Sequence, residues 1–192
     1  MRKIQILHCD IYAGKDNFSE LLSTQFGLRI ISVRDLIRTE YKSGSDIGIK
    51  IKEYIDNGTL LPTEFVNSIL ENEIKIDEKD VLIVNYPSTS ELFHGFTSLL
   101  DKLEILIDKI WHLKLTNIEY ITQKELINLG EIYTAKYEIT HDTLREKIKV
   151  KQENLNKIIE LWKRDHRVIT IDVDYKNNSD IKNYFSEQIK SA

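Results

Sequence analysis

The stretch Lys3-Ile4-Gln5-Ile6-Leu7-His8-Cys9-Asp10-Ile11-Tyr12-Ala13-Gly14-Lys15-Asp16-Asn17 decides the fold of this chain. Its first five residues, Lys3–Leu7, are mostly apolar and predict a short β-strand that is buried in a sheet. After the loop, Phe18-Ser19-Glu20-Leu21-Leu22 opens an amphipathic helix. A strand, a short loop and a helix in this order indicate the start of an α/β fold.

The loop between strand and helix, His8–Asn17, lies where a phosphate-binding loop is expected. Such loops follow Gly-x-x-x-x-Gly-Lys-Ser/Thr, because the glycines let backbone N–H groups converge on phosphate oxygens. Gly14 and Lys15 keep this pattern. Cys9 replaces the first glycine, and Asp16 replaces the hydroxyl residue that would hold Mg²⁺. The sequence therefore leaves open whether the site still performs chemistry.

Composition favours a single globular domain of ordinary size, because the chain has 192 residues and 41% of them are hydrophobic. The net charge of −4 gives no general attraction to nucleic acid or to an anionic membrane, so neither is expected as a partner. Cys9 is the single cysteine, which excludes an intramolecular disulfide and favours a reducing compartment. No signal peptide or membrane-spanning run is recognised, so we expect a cytoplasmic protein.

Strand and helix patterns alternate along the rest of the chain, which predicts a parallel sheet flanked by helices. Strands are predicted at 3–7, 28–32, 80–85, 109–115 and 168–172. Helices are predicted at 15–26, 35–43, 46–57, 63–73, 89–103 and 142–164, with a last helix from about residue 180. The segment 116–141 is the least determined, and we expect one helix followed by an irregular excursion.

Three further stretches show a resemblance to a known family: Ile31-Ser32-Val33-Arg34-Asp35-Leu36-Ile37-Arg38, the run from Ser43 to Val66, and the strand Val81–Pro87. Together with the loop they resemble the adenylate kinase family of nucleoside monophosphate kinases. The resemblance implies a three-layer α/β fold of the P-loop NTPase type with a parallel five-stranded sheet. It also implies one domain over 1–192, a helical monophosphate-binding insertion over 33–73 and a shortened lid over 129–142.

The family transfers phosphate from ATP to AMP, and its chemistry depends on positioning, Mg²⁺ and a ring of positive charges. By resemblance, four positions match the catalytic cations: Lys15, Arg38, Arg145 and Lys147. The nucleotide-binding loop matches Ala13, Gly14, Lys15, Asp16 and Asn17. ATP and Mg²⁺ are the implied cofactors, and no residue is assigned as a metal ligand.

Other positions of the family pattern are not kept. Val84 matches the aspartate that helps to organise Mg²⁺, and Ser88 matches an arginine. Val33 and Leu92 match the threonine and glutamine that recognise adenine. Tyr12 matches a loop glycine, where the backbone has to approach phosphate. Because one lost transition-state donor typically costs about 10²–10³ in rate, several losses together predict impaired catalysis.

Two acidic residues bracket the loop and allow two interpretations. Asp10 and Asp16 either form a new metal site or, as is more usual for aspartate near a first turn, cap the following helix. Asp16 also lies next to Lys15, where its charge would neutralise the ammonium group. Cys9 is interpreted as a buried strand-end residue rather than a reactive thiol.

The leading hypothesis is an adenylate-kinase-like protein with a degenerate site that acts by binding a nucleotide or a protein partner. The alternative is an active, divergent nucleoside monophosphate kinase that uses Lys15, Arg38, Arg145 and Lys147. A third class is a regulatory protein with an empty cleft. An exposed apolar patch of Tyr12, Val33 and Leu92 would favour this third class, whereas an open cleft containing Lys15 and Arg38 would favour the kinase.

Overall fold

The computed structural model describes residues 2–174 and 180–192. They form five strands, namely β1 (Lys3–Cys9), β2 (Arg29–Ser32), β3 (Val81–Val84), β4 (Leu106–Lys114) and β5 (Val168–Asp172). The helices are α1 (Lys15–Phe26), α2 (Val33–Ser43), α3 (Asp46–Asp56), α4 (Thr63–Ile74), α5 (Ser90–Lys102), α6 (Ile118–Leu129), α7 (Glu131–Lys136), α8 (His141–Trp162) and α9 (Ile181–Ser191). This alternation confirms the α/β class that the apolar periodicity predicts.

The five strands form one parallel sheet in the order β2-β3-β1-β4-β5. The first strand is central, since Ile6 pairs with Ile83 of β3 on one side and with Ile110 of β4 on the other. Because the strands are parallel, all their carboxyl ends meet at one edge of the sheet. In open α/β sheets this edge is where ligands bind.

Two hydrophobic clusters cover the two faces of the sheet, as expected for strands that are buried on both sides. Alternate residues of β1 belong to different clusters, with Ile4 and Ile6 in one cluster and Leu7 in the other. Helix α8 contributes to both, through Leu144 near its start and Trp162 at its end. The long helix therefore runs from one face of the sheet to the other.

The predicted elements are confirmed with small shifts at their ends. The largest shift is in β4, which begins at Leu106 rather than at residue 109, because its first residues alternate between exposed and half-buried and lack a continuous apolar run. The expectation for 116–141 is wrong in its second half. A short helix, α7, stands where an irregular excursion was expected, and Gly130, with φ of 76°, separates it from α6.

The prediction that Trp111 and Trp162 are core residues is confirmed, since both are fully buried. Their indole N–H groups find acceptors in the side chains of Gln5 (2.8 Å) and His8 (3.0 Å), as buried indoles require. No helix of the described residues is long and apolar enough to cross a membrane.

Candidate functional site

The loop between β1 and α1 is a tight turn. The carbonyl oxygen of Asp10 accepts a hydrogen bond from the Ala13 N–H (3.1 Å), and Tyr12 and Gly14 have positive φ angles of 63° and 88°. Glycine takes the left-handed conformation without steric cost, whereas a tyrosine there costs about 1–2 kcal/mol. Helix α1 therefore follows a strained loop, with Gly14 as its N-cap.

The lysine of the loop motif is engaged by its own neighbour. Lys15 Nζ lies 2.9 Å from a carboxylate oxygen of Asp16. The Asp16 side chain is 91% exposed, so the pair is solvated and contributes little to stability. The charge of Lys15 is nevertheless partly compensated, as the sequence suggested. Asn17 follows in the first turn of α1.

Asp10 does not cap α1, which corrects one of the two interpretations of the acidic pair. Helix α1 has no side-chain cap, and the Asp10 carboxylate instead accepts a hydrogen bond from the Leu115 N–H beyond β4 (2.9 Å). Burial raises the pKa of the Asp10 carboxyl, and this hydrogen bond together with one from Gln152 partly offsets the shift. No group of acidic, histidine and cysteine side chains suited to a metal ion occurs among the described residues.

Cys9 is a buried strand-end residue, as predicted. Its backbone N–H donates to the Asn85 side-chain oxygen (2.8 Å), which ties the end of β1 to the residue that follows β3. Burial raises the pKa of the Cys9 thiol well above its ordinary value, although Lys15 opposes the shift. The thiol therefore stays protonated and unreactive.

A cleft of about 570 Å³ opens beside helix α2 at the carboxyl edge of the sheet, and we name it the α2 cleft. Two cations predicted for the site, Lys15 and Arg38, line it together. Its remaining lining residues are Ser32, Val33, Arg34, Asp35, Ile37, Val66, Val84, Asn85, Tyr86, Ser88 and Leu92. The cleft thus has three cationic side chains and one carboxylate, a balance that favours an anionic ligand.

Arg34 is a cleft residue that sequence reasoning missed. It stands one helical turn before Arg38, and residues four apart share a helix face. This spacing was the available signal. Arg38 makes a long ion pair with Asp35 (3.6 Å) in which both side chains are more than half exposed. Such a pair is weak, so the guanidinium can turn to a ligand at little cost in free energy.

The other two predicted cations do not line the α2 cleft. Lys147 borders a separate hollow of about 440 Å³ together with Glu125 and Ile11. The Nε of Arg145 is buried and has no hydrogen-bond partner in the described part of the chain. The four cations that the resemblance places around one phosphate are therefore divided between separate regions of the molecule.

Tyr12 ties the loop to helix α6. Its hydroxyl donates a hydrogen bond of 2.5 Å to the carboxylate of Glu125. Burial, with further contributions from the Glu125 hydrogen bond and charge, raises the pKa of Tyr12 to about 12, so the hydroxyl keeps its proton. The side chain that replaces the loop glycine is therefore fixed in place.

A second space of about 250 Å³, here named the α8 hollow, lies between the loop and helix α8. Its lining includes His8, Cys9 and Asp10 from the end of β1 and Lys151 and Gln152 from α8. Two residues that follow β3, Asn85 and Ser88, line both the hollow and the α2 cleft, so the two spaces adjoin.

The apolar patch that would favour an empty regulatory cleft is absent at the three described positions named for it. Val33 is only 4% exposed, and Tyr12 and Leu92 are half-buried. Lys15 and Arg38 do line an open cleft, which is the arrangement that favours a kinase.

Taken together, the parallel sheet, the strand–loop–helix unit with its Gly14-Lys15 pair and the cationic cleft define an α/β protein of the P-loop class. A sequence model of the family described as adenylate kinase matches residues 11–167. The chain belongs to the adenylate kinase family.

Individual relatives agree with this assignment at low identity. The adenylate kinase of Thermococcus onnurineus is 30% identical over 129 residues, which cover 65% of this chain and 58% of that protein. That of Methanosarcina barkeri is 29% identical over 126 residues, covering 63% and 59%. The adenylate kinase of Nautilia profundicola is 27% identical over 192 residues, covering 99% and 86%. The chain thus spans less than two thirds of the first two relatives.

Proposed function

We propose that this protein binds a phosphate-containing nucleotide in the α2 cleft and transfers phosphate weakly or not at all. The observation that carries the proposal is the division of the predicted cations. Lys15 and Arg38 share the α2 cleft with Arg34, whereas Arg145 and Lys147 lie outside its lining. Hydrogen bonds from charged groups contribute about 1.5–3 kcal/mol each, so three cations in one cleft support the binding of a phosphate group.

Transfer of phosphate demands more than binding. The charge that develops on the transferring group has to be met by donors already in position, and each lost donor costs about 10²–10³ in rate. Arg145 and Lys147 are outside the cleft, and Lys15 is paired with Asp16. These positions support the proposal of impaired catalysis.

ATP remains in the proposal as a ligand, but the residues present do not fit the Mg²⁺ site of the family. Magnesium prefers oxygen ligands in strict octahedral geometry. Val84 offers no oxygen at the position of the family aspartate, and the Asp16 carboxylate is paired with Lys15.

The second candidate function is an active, divergent nucleoside monophosphate kinase. It is favoured by the open cleft that Lys15 and Arg38 line, to which Arg34 adds a second guanidinium. A protein partner is the third element of the proposal, and it becomes the leading one if the cleft binds no nucleotide. Residence in the cytoplasm belongs to the same proposal and rests on the single cysteine.

The deciding experiment is ³¹P NMR of the protein with ATP, Mg²⁺ and each of several nucleoside monophosphates. We expect shifted monophosphate resonances and little or no diphosphate after long incubation at high protein concentration. Diphosphate that forms with wild type and with Lys52→Ala, an exposed control on α3, but not with Lys15→Ala, would establish the kinase instead. Unshifted resonances without turnover would direct the search to a protein partner.

A further inference from the structure

Asn85 is the first residue after β3, and the order of the strands places it between the cations of the α2 cleft. Strand β3 stands between β2 and β1, and Val84 at its end pairs with Ser32 of β2 and with Leu7 of β1. The chain after β2 carries the two arginines of the cleft on α2, and the chain after β1 carries Lys15 at the start of α1. The residue that follows β3 therefore lies between these two sources of positive charge.

Two hydrogen bonds fix Asn85 at this point. Its backbone N–H donates to the Leu7 carbonyl (2.7 Å), and its side-chain oxygen accepts from the Cys9 N–H (2.8 Å). Its φ of 53° lies in the left-handed region, which asparagine adopts more readily than most residues. Both the backbone and the side chain of Asn85 are thus held by β1, so the amide loses little further freedom when it meets a ligand.

The bond to Cys9 decides which end of the Asn85 amide remains for a ligand. A backbone N–H is a donor, so the atom that receives it is the side-chain oxygen, and the other atom is the nitrogen with its two N–H groups. Within residues 2–174 and 180–192 this nitrogen has no acceptor, and Asn85 is exposed. Because Asn85 lines both the α2 cleft and the α8 hollow, its N–H groups are available at the border of the two spaces.

Ser88 is the other residue that lines both spaces, and it differs from Asn85 in how it is held. Its side chain is exposed and makes no hydrogen bond to the described part of the chain. A serine hydroxyl rotates to suit its surroundings, so it has to be ordered by the ligand. Among the residues shared by the two spaces, Asn85 therefore offers the donor that is already in position.

We infer that the side-chain amide of Asn85 binds the phosphate group of the nucleotide at the border of the α2 cleft and the α8 hollow. This inference rests on the proposed function and assigns a further binding residue to the same site. The cations attract the phosphate group through its charge. The amide, fixed to β1, donates to a phosphate oxygen and so sets the position of the group between the cations.

Two substitutions of Asn85 separate a role in binding from a role in structure. Asn85→Asp keeps the oxygen that accepts from Cys9 and also tolerates a positive φ, but it replaces the N–H donors by an anionic oxygen. We expect nucleotide binding to weaken about 100-fold or more, because a donor is lost and like charges meet. Asn85→Gly removes the donor without adding charge, and we expect binding about tenfold weaker.

A purely structural role of Asn85 predicts the opposite order, since Asn85→Gly loses the acceptor of the Cys9 N–H and Asn85→Asp keeps it. Calorimetric titration measures the order, with whichever of AMP, GMP, CMP and UMP the wild-type protein binds most tightly. Asn72→Asp, at an exposed position on α4 outside both spaces, is the matched control and should bind as wild type does. Melting temperature, measured on the same samples, verifies that each variant is folded.

Proton–nitrogen NMR of the ¹⁵N-labelled wild-type protein gives a second test, which does not depend on the stability of a variant at the titration temperature. The side-chain resonances of Asn85, assigned by their absence in either variant, should move downfield when the nucleotide is added, because hydrogen bonding deshields amide protons. The corresponding nucleoside, which lacks the phosphate group, should leave them in place.

The two tests distinguish failure of the inference from failure of the proposed function. Resonances of Asn85 that do not move when the nucleotide saturates the protein overturn the inference, as does wild-type affinity in a folded Asn85→Asp protein. Both results leave the proposed nucleotide binding intact. If the wild-type protein binds none of the four nucleotides at millimolar concentration, the proposed function fails and the inference fails with it.

Discussion

The two sides of the carboxyl edge of the sheet differ in the charged side chains that they present. The α2 cleft keeps three cationic side chains beside an apolar wall, on helices that pack around it. On the other side, Tyr12 is bonded to Glu125 and Asp10 is bonded to Leu115. Lys151 is the single lysine or arginine among the described residues that line the α8 hollow. Under the proposed function, the contrast means that binding and transfer of phosphate place separate demands on one fold.

The largest predicted effect is the loss of stability in acid. It tests this comparison because the buried imidazoles lie on the α8 side. Burial, with the charge of His112 as a second cause, lowers the pKa of His8 to about 3. Burial, helped by Lys114 and Lys163 and opposed by Asp172, lowers the pKa of His112 to about 4. No histidine is among the residues that line the α2 cleft.

Both folded pKa values lie below the unfolded value of 6.5. At pH values between them, the unfolded chain therefore binds more protons than the folded protein. The stabilisation is complete above pH 6.5 and is lost progressively as the pH falls toward the folded values. From about pH 7 to about pH 5, we expect the free energy of unfolding in urea to fall by about 4 kcal/mol.

Two histidine variants control this measurement. His112→Gln should reduce the acid-dependent loss by roughly half, since one of two titrating groups is removed. His94→Gln, at an exposed position on α5, should leave the loss unchanged. Equal stability at the two pH values would contradict the buried, neutral imidazoles.

The second prediction concerns the cations of the α2 cleft. Arg34→Gln and Arg38→Gln should each weaken nucleoside monophosphate binding about 10–100-fold, because each removes a charged hydrogen bond worth about 1.5–3 kcal/mol. Calorimetry measures the change. Arg164→Gln, at an exposed position outside the cleft, is the matched control. Unchanged affinity in both cleft variants would contradict a role of the α2 cleft cations in phosphate binding.

The smallest predicted effect concerns the loop. Tyr12→Gly removes the ring and lets the loop backbone approach a phosphate group, so ATP affinity should rise about fivefold. Tyr12→Phe keeps the ring and the strain but loses the hydrogen bond to Glu125, and its affinity should remain that of wild type. A similar gain in both variants would assign the effect to the hydrogen bond rather than to the ring.

Much of the fold was predictable because it depends on local and periodic signals. The apolar run at 81–84 is a strand buried on both faces, and the α1 prediction of 15–26 matches at both ends. The two-helix course of 118–136 was missed, because Gly130 alone separates α6 from α7 and neither has a strongly apolar face. The division into an insertion at 33–73 and a lid at 129–142 stays a prediction.

The candidate site was predictable only in part. Lys15 and Arg38 follow from the motif and the resemblance, and both line one cleft. Arg34 was missed, because in the quoted stretch it stands where the family has a glycine. Arg145 and Lys147 were expected beside the others, yet the course of α8 across the sheet gives them different surroundings.

By itself, the sequence determined the strands, most helices and the loss of the loop pattern, because periodicity and glycine positions act over short distances. Only the tertiary structure decided which charges share a space. It brought Lys15 of the loop and Arg38 of α2 into one cleft and bound Asp10 to the chain beyond β4. It also placed Arg145 and Lys147 outside that cleft. The physical reason is that electrostatic recognition depends on distance through space, which spacing along the chain does not specify.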